Sequence, residues 1–579
     1  MTPSVPGRLF RGYGPLVGFA AMFLAIAVLV PTQAQEIRTE PATDSSALVA
    51  GSATGEAPAS SSLDGQAPDD PLTPPDGAPP TNQGAGGPAV AGRTTVRDTA
   101  PKAGAGGQPA AGQTPAAGGR PAVAACPGRA KQDPNDPYSP PCYTFAGSNG
   151  GATSRGVTAD SVTISVRIQG FDNGTLDALS RVAKANIPNE PRSKIEATIV
   201  GLVDYLNRSY EFYGRKLAIK VFTGQGEIER ELLGSGQEGA QADALRVTDE
   251  LVAFADASGV SPPYADALAK RGVVSSGAPY VSRQWLSSRR PYVWSQFTDC
   301  STVVEASVSY YLSKMTGKPA AYAGGSLAGQ PRRAAILAPD NSWYQECASS
   351  GAKALNDAGR GAELILNEPY RLDINSMAPQ ATSLIAKLKS NAITTVICGC
   401  DPLILTFLTG KAREQNYEPE WLETGVALTD QDLIGQIMDQ GTWRRAFGVS
   451  FAGPTEPQQG TTGYRAFKAV RPDQEPSFGV DLIFRQLQLL ALGIQMAGPN
   501  LTPETFEQGM FRFPIATGPA GTWKFGPNDY TTSQDAREIY WSPDARSPQN
   551  DRPGAWIDPN NGVRWPIGGF PAGEPNVPR

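Results

Sequence analysis

The stretch Ser161-Val162-Thr163-Ile164-Ser165-Val166, followed some thirty residues later by Lys194 to Phe212 and then Leu217-Ala218-Ile219-Lys220-Val221-Phe222, decides the fold class. The first run alternates apolar and polar residues and reads as a strand. A Gly-, Asp- and Asn-rich loop follows. In Lys194–Phe212 the apolar positions Ile195, Ile199, Leu202 and Leu206 recur at helical spacing. Gly214 stops the helix and Leu217–Phe222 begins a second strand. A strand–helix–strand unit of this kind implies parallel strands covered by helices, with ligands at the carboxyl ends of the strands.

The rhythm continues outward. Helix-period residues run over 239–251 and again from Tyr264, with a short strand at Val273-Val274. A helix is expected over 302–316, a strand over 334–338, a helix over 343–358 and a strand over 363–366. Further units pair a helix at 377–391 with a strand at 393–398, then a helix at 403–415 and a strand at 446–451. A long apolar helix is expected over 478–497. From Gly521 the chain reads as short strands and turns.

Composition narrows the function. Gly (63) and Pro (52) concentrate in the first quarter of the 579 residues, so the folded part is shorter than the chain. The net charge of −6 comes without a long basic run, which argues against nucleic-acid binding. Histidine is absent. That excludes Ser-His-Asp and Cys-His catalysis and most catalytic zinc sites. No phosphate-binding loop or nucleophile elbow motif is present. Acid–base chemistry through Asp, Glu, Lys or Tyr stays open, with an envelope enzyme of that kind as a rival; the expectation is no enzyme, no cofactor and no metal site.

Residues 1–35 read as a signal peptide or an N-terminal anchor. Arg8 and Arg11 precede the apolar run Leu16 to Val30, and Thr32-Gln33-Ala34 supplies small residues before a cleavage point. Membrane contact is expected only through this segment, if it is retained, and the rest of the chain is placed outside the cytoplasm. Residues 36–125, rich in Ala, Gly, Pro, Ser and Thr, cannot bury enough apolar surface to offset their ordering entropy. They read as a disordered linker, either a spacer through an envelope or a dispensable leader. Cys126 and Cys142 bracket a Pro- and Asp-rich loop in segment 126–155. In an exported protein this spacing suggests a disulfide, worth about 3 kcal/mol for a loop of about 15 residues. Cys300 and Cys347 are a second candidate pair. Cys398-Gly399-Cys400 reads as a bonded pair or as two buried thiols.

Several local features resemble the type I periplasmic-binding fold, and within it the branched-chain-amino-acid-type (leucine-binding-protein-like) solute-binding proteins. They are Gly156-Val157-Thr158 with Val162-Thr163-Ile164, and Tyr213-Gly214-Arg215-Lys216-Leu217. Further on come Arg333-Ala334-Ala335-Ile336-Leu337 with Asp340-Asn341-Ser342-Trp343-Tyr344. The last are Val396-Ile397-Cys398-Gly399-Cys400-Asp401-Pro402 and Gln415-Asn416-Tyr417-Glu418-Pro419-Glu420-Trp421. The resemblance spans about 400 residues. It implies an α/β fold of two lobes, each a parallel sheet flanked by helices, joined by three crossings. Lobe one would comprise 156–303 and 452–533, and lobe two 304–451 and 534–579.

The resemblance also implies a function: an extracytoplasmic protein that closes on a small-molecule solute and works with a membrane permease. A sensory or adaptor receptor using the same cleft, or a ligand-free scaffold, is the alternative. Carried over residue by residue, the ligand loops supply Phe171, Ser258, Ser261, Ser276, Tyr280 and Asp299 from lobe one and the first crossing. Trp343, Tyr344, Asp401 and Thr424 come from lobe two. The same residues have plain structural roles open to them. Ser258, Ser261, Asp299 and Asp401 precede helices and can cap them, and Trp343 and Tyr344 can be packed helix-start aromatics. Pro279 has no N–H to offer a ligand. A larger or more apolar solute than a plain α-amino acid is therefore an equal expectation.

Overall fold

The computed structural model describes residues 123–168 and 190–578. The leader and nearly all of the linker expected from sequence lie outside the described residues, and so does Phe171. Strand β1 (Val123–Ala125) pairs antiparallel with β2 (Tyr143–Phe145), and the Cys126–Cys142 disulfide lies between them. This segment is fastened to the fold beside it. Tyr138, fully buried, donates its hydroxyl hydrogen to Gly521 O at 2.8 Å and stacks on Trp523.

Lobe one is built on β3 (Ser161–Ile168), β4 (Lys216–Thr223), β5 (Ala255–Gly259), β6 (Val274–Gly277) and β7 (Val293–Trp294). Their order is β4-β3-β5-β6-β7, all parallel. The helix Arg192–Ser209 buries Ile195, Ile199, Leu202 and Leu206, the stripe its sequence period predicts. Beside it lies the helix Val480–Ala497. It is apolar enough for a membrane span, yet Phe484, Leu487, Leu490 and Ile494 lie in the lobe's core. The opposite face of the sheet is covered by the helices Gln237–Asp249 and Pro262–Lys270 through Ala240, Ala244, Val247 and Leu268.

Lobe two is built on β8 (Ala334–Pro339), β9 (Leu364–Tyr370), β10 (Thr395–Cys398), β11 (Glu420–Glu423) and β12 (Ala446–Ser450), parallel in the order β9-β8-β10-β11-β12. A short hairpin, β13 (Ala516–Gly518) and β14 (Gly521–Trp523), precedes the return to this lobe. There β15 (Asp535–Arg546), β16 (Pro553–Ile557) and β17 (Arg564–Pro566) extend the sheet antiparallel. Helices Met377–Ser390 and Pro402–Glu414 cover one face over Leu384, Leu388, Ile404 and Leu408. Helices Cys300–Tyr310 and Ser342–Asp357 cover the other and are tied by the Cys300–Cys347 disulfide.

The chain passes between the sheets three times, after β7, after β12 and before β15. The first and third passages are laced together: Ser295 N donates to Tyr530 O at 3.0 Å, and Thr532 Oγ1 to Gln296 O at 2.8 Å. Arg537 and Arg564 donate to Ala452 O at 3.1 and 2.9 Å, which fastens the second passage to the third.

Candidate ligand cleft

The carboxyl ends of the strands of both lobes face a cavity of 240 Å³. Lobe one contributes Val260 after β5, Pro279 and Tyr280 after β6, and Ile228 and Leu232 of the short helix Ile228–Leu232. Lobe two contributes Pro339 at the end of β8, Tyr344, Asp401 after β10, and Thr424, Val426 and Ala427 after β11. The cavity then continues into lobe two, between the helices Cys300–Tyr310 and Ser342–Asp357, over Ile336 and Ile397 of the sheet.

Four of the residues expected from sequence lie on this wall. Tyr280 is one, held in a left-handed conformation (φ 55°), as are Ala427 and Leu428 opposite it (φ 50° and 62°). Non-glycine residues in that region carry a conformational cost and concentrate at binding sites. The Tyr280 hydroxyl lies against the backbone of Ala427 and Leu428, and burial raises its pKa. Tyr344 is half-buried at the start of its helix, and desolvation there pushes its hydroxyl up to about 12. Asp401 caps the helix Pro402–Glu414, accepting from Leu403 N and Ile404 N at 2.8 and 3.2 Å and from the Tyr370 hydroxyl at 2.7 Å. Burial raises its pKa against those hydrogen bonds. Thr424 Oγ1 donates to Cys398 O at 3.0 Å.

The other residues are placed elsewhere. Ser258 Oγ donates to Asp256 Oδ1 at 2.6 Å and accepts from Arg167 N at 2.6 Å. Ser261 caps the helix Pro262–Lys270, accepting from Tyr264 N at 3.3 Å, and donates to the Glu231 carboxylate. Ser276 Oγ donates to Gln486 O at 3.1 Å. Asp299 caps the helix Cys300–Tyr310, accepting from Thr302 N at 2.9 Å. Trp343 packs against lobe one near Gly234, and beside it Asn341 Nδ2 donates across the cleft to Leu232 O at 2.6 Å. Cys398 and Cys400 are bonded to each other at the cavity's edge.

An ion cluster lies behind the inward turn of Ser261. Arg167, near the end of β3, is fully buried and grips Glu231 with two hydrogen bonds, at 2.7 and 2.9 Å. It also reaches Asp243 at 3.1 Å, and the Tyr264 ring lies 3.5 Å from its guanidinium carbon. Glu231 sits on the helix Ile228–Leu232, so the same ion pair that draws Glu231 inward presents Ile228 and Leu232 to the cavity. Sequence reading missed this helix because it is five residues long and too short to show a period.

Behind Thr424, Glu423 is buried and accepts three hydrogen bonds on Oε1: from Thr424 N at 3.0 Å, Gly425 N at 2.7 Å and Thr429 Oγ1 at 2.5 Å. Burial, aided by Asp430 nearby, outweighs these donors and pushes its pKa up to about 8. Among the described residues no group of three or more His, Cys, Asp or Glu is arranged to hold a metal ion.

No protein-family model and no curated protein matches this chain. Solved structures do resemble it. One is an ABC transporter substrate-binding protein from Aeropyrum pernix, at 12% identity over 70% of this chain and 96% of that one, with a TM-score of 0.48. A second is an ABC transporter solute-binding protein from R. palustris in complex with 4-hydroxybenzoate, at 10% identity over 69% and 97%, TM-score 0.47. A third is a fatty acid ABC transporter substrate-binding protein from Thermomonospora curvata, at 13% identity over 72% and 98%, TM-score 0.47.

Proposed function

We propose that the chain is an extracytoplasmic solute-binding protein that closes two lobes on a small molecule and delivers it to an ABC-type membrane permease. The observation that carries this reading is the cavity walled by both lobes at the carboxyl ends of their strands. The laced passages beside it supply a hinge, and hinge-bending about such connections is how two-lobed proteins trap ligands. Tyr280, Tyr344, Asp401 and Thr424 form the ligand-facing wall in this reading. The leader read from sequence over residues 1–35 supports a location outside the cytoplasm.

Native mass spectrometry on the exported chain, purified without added ligand, tests the reading together with small-angle scattering. A reproducible extra mass lost on denaturation supports it when re-addition of that compound compacts the protein. If fractions of growth medium and cell extract give neither bound mass nor compaction, the reading fails.

A further inference from the structure

We propose that the ligand is an uncharged, elongated apolar molecule of about ten carbon atoms, lying along the channel between the helices Cys300–Tyr310 and Ser342–Asp357. This deepens, and rests on, the solute-binding reading.

Size comes first. The cavity measures 240 Å³, and a dry cavity of about 150 Å³ takes up benzene. Scaling by volume gives room for about ten carbons. The shape is set by two facing stripes. On one helix Val304, Ser307 and Tyr311 follow one another at helical spacing, and on the other Cys347, Gly351 and Leu355 do so. The Cys300–Cys347 bond pins the helices at one end. At Gly351 the missing side chain leaves a gap, since an added Cβ would come no nearer than 3.7 Å to Val304 and 3.8 Å to Ile336.

Chemistry comes second. No Arg or Lys lines the cavity, so a ligand carboxylate would enter without a counter-charge, which is costly in an apolar site. Two carboxylates, Glu229 and Asp401, lie on the lining, so a ligand carboxylate would also meet like charge there. Asp401 is committed to its helix cap and the Tyr370 hydroxyl, and Thr424 to Cys398 O. Ser307 differs. It is 5% exposed, lies on the channel wall, and its hydroxyl has no hydrogen-bond partner in the protein. A buried hydroxyl without a partner is costly, and a ligand hydroxyl or carbonyl would satisfy it.

The test is a titration of the full chain with straight-chain primary alcohols from hexanol to tetradecanol, read by calorimetry. Decanoate, decylamine and leucine serve as comparators. The dissociation constant should fall about fourfold per added methylene and stop falling at about ten carbons. Decanoate and leucine, which carry a carboxylate, should bind at least about tenfold more weakly than decanol. In Gly351→Leu the added side chain fills the room of about four methylenes, so the fall should stop at about six carbons. Val304→Phe serves the same purpose if the first variant does not fold. Affinity that ignores chain length overturns the proposal. So does a comparator that binds as tightly as decanol, or a folded plugging variant whose break point does not move. Leucine binding with compaction of the lobes would sink this inference and leave the solute-binding reading standing. If neither these compounds nor the fractions of growth medium and cell extract bind or compact the protein, both fail.

Discussion

Glu423→Gln isolates the cost of a carboxyl buried directly behind the cleft wall. The native carboxyl titrates at about 8, against 4.5 in the unfolded chain. The folded state therefore binds the proton more tightly, so stability is full below the unfolded value and is lost as pH rises towards the folded one. Each unit is worth about 1.4 kcal/mol. Raising the pH from about 5 to about 7.5 should thus cost the wild type about 3 kcal/mol through this group alone. The glutamine keeps the acceptor oxygen that receives Thr424 N, Gly425 N and Thr429 Oγ1 and cannot ionise. Urea denaturation of both proteins across that range gives two profiles whose difference removes every other titrating group. The variant should gain about 3 kcal/mol on the wild type between the two ends. Parallel profiles would show that Glu423 is ionised in the fold, with its three donors prevailing over burial.

Three further outcomes follow from the geometry. Arg167→Met strands two buried carboxylates and should cost about 3–5 kcal/mol in urea denaturation, with partial recovery when Glu231→Gln and Asp243→Asn are added. Replacing Cys300 and Cys347 together by Ser opens a crosslink spanning 47 residues. It should lower stability by about 4 kcal/mol in the chain-entropy account, seen as a lower melting temperature than that of the oxidised wild type. Asn341→Ala removes the cross-cleft hydrogen bond to Leu232 O, worth about 1 kcal/mol. Ligand affinity, measured by calorimetry, should weaken about fivefold while the melting temperature of the ligand-free protein stays within about 1 °C.

The elements legible in the sequence are those whose packing follows their own period. Ile195, Ile199, Leu202 and Leu206 read as one helical face and are buried as one. The strand at Ala334–Pro339 is apolar throughout because helices cover both its faces. The twelve-residue β15 escaped because it pairs antiparallel with β12, some ninety residues earlier, and carries Pro543 and Asp544 where it leaves the core. The same division holds in the site. Tyr280, Asp401 and Thr424 follow strand ends and Tyr344 lies in the first turn of the helix after one, positions that the family resemblance carries over. Which way Ser258 and Ser261 turn depends on Asp256, Arg167 and Glu231. Of these, Arg167 lies 91 residues from Ser258 and Glu231 lies 30 from Ser261, and no local pattern encodes those pairings.

The energetics of closure follow from what spans the cleft. Asn341 donates to Leu232 O, Trp343 meets the backbone near Gly234, and the Tyr280 hydroxyl lies against Ala427 and Leu428. A neutral hydrogen bond of this kind is worth about 1 kcal/mol net, and each left-handed residue among Tyr280, Ala427 and Leu428 costs about 1–3 kcal/mol. In the proposed reading, contacts this small do not hold the lobes closed by themselves. A ligand moves an open–closed equilibrium only by its difference in affinity for the two forms. Apolar surface supplies that difference in proportion to length, at about 0.8 kcal/mol per buried methylene. Shifting a population from mostly open to mostly closed takes about 5.5 kcal/mol, which about seven methylenes supply. Under the proposed solute-binding reading, a cavity with room for about ten carbons would therefore provide enough binding energy to close the lobes, with a remainder to retain the solute.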